Sequence, residues 1–592
     1  MEKSESVSLI SVEDKKELIQ VALGREAADL TIINANLVNV YTGEIFEGHA
    51  VCVKKKWIAY VGDKPEDKIG KETEVIDAGG SIVIPGLIDG HTHLAWMYSV
   101  SEFLKYAMTG GTTSLVTETM EPFPVTGYAG IADFLESMND QPIKIFATAP
   151  FMASISQKAR GISTETLSRL LARNTIIGLG ESYWQSVLQE PDRMLPVFNE
   201  TLRFGKTLEG HSAGATGNKL NAYIAAGITS CHEPIRTKEV LERLRLGMYV
   251  MVREGSIRRD LEAISKIKET GIDLRLLILV TDGVGPKDLL EKGCMEFVVQ
   301  KAIDCGFDPI AAIQMATLNV AEHFSLDHLI GGLAPGRYAD MVIIPDIHTI
   351  EALYVISNGR VIAHEGRRLV SPREHQFSHD SQNSIHLSKT FEASDFRVSA
   401  PQDSGEVAVR IIDMITDLVT REIGMALSVT NGEVKADLDR DIIKVAAIDR
   451  THVPGKTFIG FLKGFNLKAG AFACSAAWDT SDIIVAGADD ADMATAVNRI
   501  HDLQGGAVVC KDNTVLSEVP LPVFGIISTE PMEILARQLE EIKQTVAELG
   551  VRFPDPLLTI ITLTGAAIPY LRICEEGLVN LKDGKTIGLF VN

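Results

Sequence analysis

Eight short apolar runs, separated by stretches of helical periodicity, fill residues 82–282 and restrict this 592-residue chain more than any other feature. They are Ile82–His93, Thr112–Glu118, Ile143–Phe151, Thr175–Glu181, Thr207–His211, Ile228–His232, Met248–Arg253 and Leu274–Asp282. Strand-like runs that alternate with helical patterns read as βαβ units joined in a parallel sheet. Parallel strands are covered on both faces, so their sequences become nearly continuous apolar runs, as several of these are. Eight such units make a (β/α)8 barrel of the TIM type, which takes roughly 250 residues.

The flanks read differently. Residues 1–25 form a polar, partly helical lead-in with no apolar core of the kind a signal peptide carries. Leu30–Val40, Ala50–Val61 and Glu74–Ile84 then alternate between Gly and Asp, as a small antiparallel sheet does, and similar runs return at Gly336–Pro345 and Leu353–His364. Together they are expected to form one β-sandwich interrupted by the barrel. Residues 371–400 are polar and read as a linker. Beyond it, strands near Ile442–Ile448, Ala471–Ala477, Ile483–Ala486 and Ala507–Cys510 accompany two helices. Ala488–Leu503 opens on Asp489, Asp490 and Asp492, acids suited to the positive end of a helix dipole, and Glu530–Leu549 repeats Leu535, Leu539, Ile542, Val546 and Leu549 on one face. The expected organisation is α/β. Residues 1–84 hold the lead-in and the N-terminal strands of the sandwich, 85–330 a metal-dependent barrel, and 331–370 the remaining sandwich strands. Residues 371–400 are the linker and 401–592 a C-terminal α+β domain.

The side chains at the ends of these runs carry the chemistry. His91 and His93 close the first run, and residues two apart on a strand point the same way. Glu181 ends the fourth, His211 the fifth, His232 the sixth and Asp282 the eighth. The carboxyl ends of barrel strands are where such enzymes build their sites. Imidazoles and carboxylates converging there suit one or two divalent metals. A bound metal can lower the pKa of water from 15.7 to about 7 and so supply hydroxide at neutral pH. Glu181, with two oxygens, is the natural bridge between two ions. Asp282, on the last strand, can take the proton of the attacking water and pass it to a leaving amine.

This pattern resembles the amidohydrolase superfamily, through Pro85-Gly86-Leu87-Ile88-Asp89-Gly90-His91-Thr92-His93, a later Gly-His, a later His and an Asp after the eighth strand. Within that superfamily the chain looks most like the microbial adenine deaminases. The strongest block is GHSAGATGNKLNAYIAAGITSCHE from Gly210 to Glu233. It is joined by LRLGMYVMVREGS from Leu244, TDG from Thr281, MATLNVAEHF from Met315, APGRYADMVI from Ala334, GFLKGFNLKAG from Gly460, AVNRIHDLQGG from Ala496 and VPLPVFGIIS from Val519. The resemblance implies that His91, His93, Glu181, His211, His232 and Asp282 hold two metals, of manganese, iron or zinc. It implies Asp282, Glu181 and His232 as the catalytic group, and a reaction that turns adenine and water into hypoxanthine and ammonia.

The chain also departs from that family. Where adenine deaminases usually show Asp-Pro-His-Glu after strand two, it has Glu118-Thr119-Met120-Glu121; for Asp-Asp-Arg-His after strand eight it has Asp282-Gly283-Val284-Gly285. A typical Ala-His-Asp-Ser-His-Asn is replaced by Ala477-Trp478-Asp479-Thr480-Ser481-Asp482. These changes bear on the substrate more than on the chemistry. Another aminopurine, a pterin or a pyrimidine is the alternative substrate. Hydrolysis of a cyclic amide fits less well, because such sites usually bridge their metals with a carboxylated lysine on strand four and Asn174–Ser186 has no lysine. Glu118, Glu121, Trp184 and Trp478 are the candidate substrate contacts, the tryptophans by stacking on a flat ring. Cys231 reads as a small buried thiol rather than a ligand.

A net charge of −22 argues against nucleic acid or an anionic membrane as partner, and no run approaches the 18 apolar residues that span a bilayer. Seven scattered cysteines with no C-x-x-C pair fit a reducing cytoplasm. The partner expected is a small nitrogen heterocycle, with a homodimer left open.

Overall fold

Covered on both faces, the central runs do form parallel strands. The computed structural model describes residues 10–151, 154–157 and 161–591, so the first nine residues of the polar lead-in lie outside the described residues. The strands are β1 (Leu87–Thr92), β2 (Thr112–Thr117), β3 (Lys144–Ala149), β4 (Ile176–Tyr183), β5 (Thr207–His211), β6 (Ser230–Cys231), β7 (Tyr249–Arg253) and β8 (Leu277–Val280). The first five make one parallel sheet in chain order and the last three another. The two sheets meet at both seams. Thr229 N donates to Leu208 O at 3.0 Å beside β5, and Asp282 N donates to His91 O at 3.0 Å beside β1.

Alternation along the strands sorts their side chains between two cores. Ile88, Val116, Phe146, Ile177, Met251 and Ile278 share one cluster, closed at its far end by Val320 and Phe324. Their neighbours Leu87, Leu115, Ile145, Ile176, Val250 and Leu277 enter the other, with the helices. Helical segments follow every strand, among them Val100–Ala107, Phe123–Met138, Thr164–Leu171, Pro191–Arg203, Gly217–Ala225 and Thr237–Leu244. Thr164–Leu171 shows how such a helix is fixed: Ser163 caps it by accepting from Thr166 N, and Leu167, Leu170 and Leu171 are its buried face.

The flanking β-runs join in one nine-stranded sheet. Ile82–Pro85 pairs antiparallel with Met341–Ile344, which brings the segments before and after the parallel strands together. The sheet is mixed rather than purely antiparallel, because Glu74–Asp77 and Ile82–Pro85 both run parallel to Leu30–Asn39. The long run Ile82–His93 is therefore two strands, with Gly86 at the turn between sheets. Lys144 of β3 ties the layers together: buried, it donates to Asp340 Oδ1 at 2.8 Å and Asn358 Oδ1 at 2.9 Å.

The polar stretch 371–400 is well anchored. Arg373 donates to Asn139 O at 2.8 Å, and Ile385, Phe391 and Phe396 are buried in a core shared with Val497 and Ile500. Beyond it lies a second nine-stranded sheet, in which Ser404–Met414, Thr420–Thr430, Glu433–Val434, Thr457–Lys463 and Thr514–Pro520 join the four expected strands. Its helices run over Asp490–Leu503, capped by Asp489, and Met532–Glu548. This region packs against the helix Val100–Ala107 that follows β1: Tyr106 Oη donates to Glu533 at 2.6 Å, and Met532 N donates to Glu102 at 3.1 Å. Among the described residues no helix is long and apolar enough to cross a membrane.

Candidate metal centre and active site

Each ligand-type side chain stands at the carboxyl end of a parallel strand, held by its neighbours. Asp89 stitches β1 to β8 by accepting from Thr281 Oγ1 at 2.5 Å, Thr281 N at 3.2 Å and His91 N at 3.3 Å. Glycines precede two of the ligands because the strands pass so closely. A Cβ on Gly180 would lie 2.1 Å from Glu118 Oε2, and one on Gly210 would lie 2.4 Å from Ser230 O. Tyr223 Oη accepts from His211 N at 2.9 Å and donates to Ser182 O, which fixes the ends of β4 and β5.

The six expected ligands come together. Glu181 Oε1 lies 3.6 Å from His91 Nε2, 3.5 Å from His93 Nε2 and 3.5 Å from His232 Nε2, whereas Oε2 lies 3.1 Å from His211 Nδ1. Asp282 Oδ1 is 3.3 Å from His91 Nε2 and 3.5 Å from His93 Nε2. Among the described residues, two groups have ligand atoms within 4.8 Å of one another: His91, Glu181, His232 and Asp282, and His211, His232 and Glu233. His232 belongs to both. The buried His91 Nε2 and His211 Nε2 have no hydrogen-bond partner, although buried nitrogens normally find one. Orphaned imidazole nitrogens facing carboxylates fit a divalent cation.

The field of the site points the same way. Burial works against protonating His91, yet Asp282 and Glu181 hold its pKa up to about 10. Burial opposes charge on Glu181 too, and His211, His91 and His93 hold it well below the usual carboxylate range. Such a pocket favours a cation. Metal binding there would release protons from the imidazoles.

Carboxylates stand beside His91 and His93. Glu121 Oε1 lies 2.5 Å from His93 Nδ1, and Glu118 Oε1 lies 3.7 Å from His91 Nδ1. A hydrogen-bonded carboxylate such as Glu121 fixes the tautomer and aim of a ligating ring.

A cavity of about 370 Å³ opens beside the cluster, lined by His93, Glu181, His211, His232 and Asp282 together with Met120, Glu121, Ile257 and Trp478. Glu121 and Trp478 thus face it as the sequence suggests. Two other expected substrate contacts do not. Glu118 is buried behind His91, where its Oε2 accepts from Thr148 at 2.7 Å, and burial pushes its pKa up to about 7. Trp184 sits at the start of the helix after β4, donates to Ala213 O at 2.8 Å and carries Lys219 Nζ 5.0 Å above its ring. Neither residue lines the cavity: Trp184 is held by Ala213, and Glu118 is tied at Oε2 by Thr148 while its Oε1 has no hydrogen-bond partner among the described residues.

Of the four positions that lack a family histidine, Met120 and Trp478 line this cavity, Gly285 lines a separate one beside the helix Met532–Glu548, and Ser481 is buried, donating to Asp449 Oδ1 at 3.1 Å. Among the wall residues not expected at the site are Glu233, Arg253, Tyr183 and Asp479. Glu233, next to His232, lies 3.4 Å from His211 Nε2 and 3.2 Å from His232 Nε2. Arg253 at the end of β7 neutralises acids on three sides: Glu233 at 2.8 Å, Asp260 at 2.9 Å and Asp282 at 3.5 Å. The carboxylate directly after His232 and the Arg that ends the seventh run were the available signals. Cys231 is a buried thiol 2.7 Å from Ser212 Oγ, and its sulfur accepts from Glu233 N at 3.4 Å.

Residues 82–364 match the amidohydrolase family, and residues 417–585 match the adenine deaminase C-terminal domain. An adenine deaminase of Clostridium botulinum is 36% identical over 588 residues, covering 98% of each chain. One of Moorella thermoacetica is 36% identical over 583 residues, covering 97% of this chain and 98% of the relative. One of a Ruegeria species is 34% identical over 581 residues, covering 96% of each.

Proposed function

Since the chain belongs to the adenine deaminase family of amidohydrolases, we propose that its cavity hydrolyses adenine to hypoxanthine and ammonia. The observation that carries this reading is the Glu181 carboxylate, whose two oxygens face different imidazoles at the ends of different strands. A carboxylate so placed suits two divalent ions, with His91, His93, His211, His232 and Asp282 as the other ligands and manganese, iron or zinc as the metal. When bound, the metal supplies Lewis acidity and makes water acidic enough to attack at neutral pH.

The chain's own groups do the rest. Asp282 takes a proton from the attacking water and returns it to the departing amino group, so that C6 gains oxygen and loses ammonia. Its Oδ2 lies 3.5 Å from Arg253 Nη1, which steadies it as a carboxylate between transfers. Glu181 and His232 hold the reacting centre. Glu121, on the wall and bonded to His93, offers an oxygen to the substrate's ring nitrogens or amine. Met120, Ile257 and Trp478 supply the apolar faces a flat heterocycle needs.

The two hydrogen-bonded seams and the shared inner cluster of Ile88, Val116, Phe146, Ile177, Met251 and Ile278 support reading β1–β8 as one closed (β/α)8 barrel. On that reading residues 85–330 are the barrel, 1–84 and 331–370 its flanking β-unit, 371–400 the connection and 401–592 the C-terminal unit.

The test is ammonia and hypoxanthine formation from adenine, beside other aminopurines, pterins and aminopyrimidines. Adenine is expected to lead with kcat/KM of about 10⁴ M⁻¹s⁻¹ or more, the lower end for evolved enzymes. Met120 and Trp478 on the wall favour the second reading, in which a less polar aminated ring is preferred. Turnover of such a ring with none of adenine would replace the first reading by the second.

A further inference from the structure

Asp479 lies far from the parallel strands in sequence, yet it lines the same cavity as His93, Glu181, His211, His232 and Asp282. It occupies the turn between the strands Ala471–Cys474 and Asp482–Gly487. Its φ of 54° is a left-handed conformation that Asp tolerates better than most residues. The backbone there is held from the barrel side, since Ile155 N donates to Asp479 O at 3.0 Å.

The carboxylate is unevenly satisfied. Oδ2 accepts from Ala566 N at 2.7 Å, a full-strength bond. Tyr183 Oη stands 3.4 Å from each oxygen, at the long limit of a hydrogen bond, and among the described residues is the only hydrogen-bond partner of Oδ1. A carboxylate has about four lone-pair sites, so Oδ1 keeps acceptor capacity in a group that is 7% exposed. The rest of the wall given by this region of the chain is apolar: Leu418, Trp478, Ala567, Ile568 and Pro569.

Tyr183 also acts as a ruler. Its ring meets His211 edge-on at 5.0 Å between centroids, and its hydroxyl reaches on to Asp479. The carboxylate therefore stands one phenol's length beyond the ligand cluster. A purine whose amino-bearing carbon faces the cluster extends its imidazole edge over a comparable span. That edge carries the one ring N–H of free adenine.

We propose that Asp479 is a substrate-recognition residue whose Oδ1 accepts the ring N–H of the purine's imidazole edge, making the site selective for free bases over N9-substituted ones. The inference rests on the purine reading of the site given above. An N9 substituent removes the donor and places bulk against a buried carboxylate. A buried acceptor left without its donor in an apolar wall is costly, so such substrates are rejected.

The experiment compares adenine, followed by kcat and KM, with 9-methyladenine, followed by its inhibition constant, in the metal-loaded wild type and in Asp479→Asn and Asp479→Ala. The Asn variant retains a carbonyl oxygen for Ala566 N and so guards against a mere folding defect. Both variants are expected to raise KM for adenine about 10- to 100-fold, the size of a lost hydrogen bond to a charged group, with kcat changed only a few-fold. Affinity for 9-methyladenine should stay nearly constant, so the preference for adenine narrows. Equal weakening of both ligands would assign Asp479 a purely structural role and overturn the inference. An unshifted KM for adenine would overturn it as well. Failure of the wild type to release ammonia from adenine would instead overturn the proposed activity.

Discussion

Asp282→Asn is expected to lower kcat for adenine deamination by about 10²- to 10⁴-fold, the usual contribution of a positioned acid–base group, while leaving KM nearly unchanged. The substitution is close to isosteric, and Asn adopts the left-handed backbone of this position, φ 57°, as readily as Asp. Arg253 keeps its ion pairs to Glu233 at 2.8 Å and Asp260 at 2.9 Å, so the end of β7 stays in place. What disappears is a carboxylate that burial would neutralise but that His91, His93, His232 and Arg253 hold well below the usual range. An amide cannot carry a proton from water to the leaving amine. Steady-state kinetics with elemental analysis of the same samples check this result. Turnover within a few-fold of wild type, at equal metal content, would remove Asp282 from the proton path.

Glu181→Gln is expected to fail earlier, at metal binding. Loss of a supporting partner behind a ligand typically costs 10- to 100-fold in affinity, so loss of the carboxylate that faces every imidazole of the cluster should exceed about 100-fold. Its Oε1 stands 3.5–3.6 Å from His91, His93 and His232, and its Oε2 3.1 Å from His211. A neutral amide there also leaves those imidazoles without their main counter-charge. Metal content and rate should therefore fall together in dialysed protein, and added metal should restore some of the rate. Full occupancy and full rate in the variant would show that Glu181 bridges nothing.

The two variants separate roles that lie side by side in space. Asp282→Asn should break chemistry with the metal in place, and Glu181→Gln should break the metal site itself. Kinetics alone would confuse them.

The residues that can be read from sequence are those whose position is set by a short period. Strand ends follow from apolar runs, so His91, Glu181, His211, His232 and Asp282 stand where the runs stop. The helices at Asp490–Leu503 and Met532–Glu548 follow from capping acids and one-face spacing in the same way. The half-exposed strand Thr420–Thr430 escapes notice because its face alternates with solvent and its residues include Thr, Arg, Glu and Gly. Long-range contacts are invisible for a different reason. Asp479 meets Tyr183 across 296 residues of chain, and nothing local to either marks the meeting. Trp184 and Glu118 show the converse error: a suitable side chain near a strand end need not face the cavity, since Ala213 and Thr148 claim them first.

The claim on which the rest depends is that this cluster acts through metal. The direct measurement is elemental content per chain, followed beside the rate of ammonia release while metal is stripped by chelation and then returned. The account predicts a rate that falls with the metal, returns with it, and reaches its plateau at about two divalent ions per chain, as two-metal hydrolytic sites do. Undiminished turnover of adenine by metal-stripped protein would contradict it.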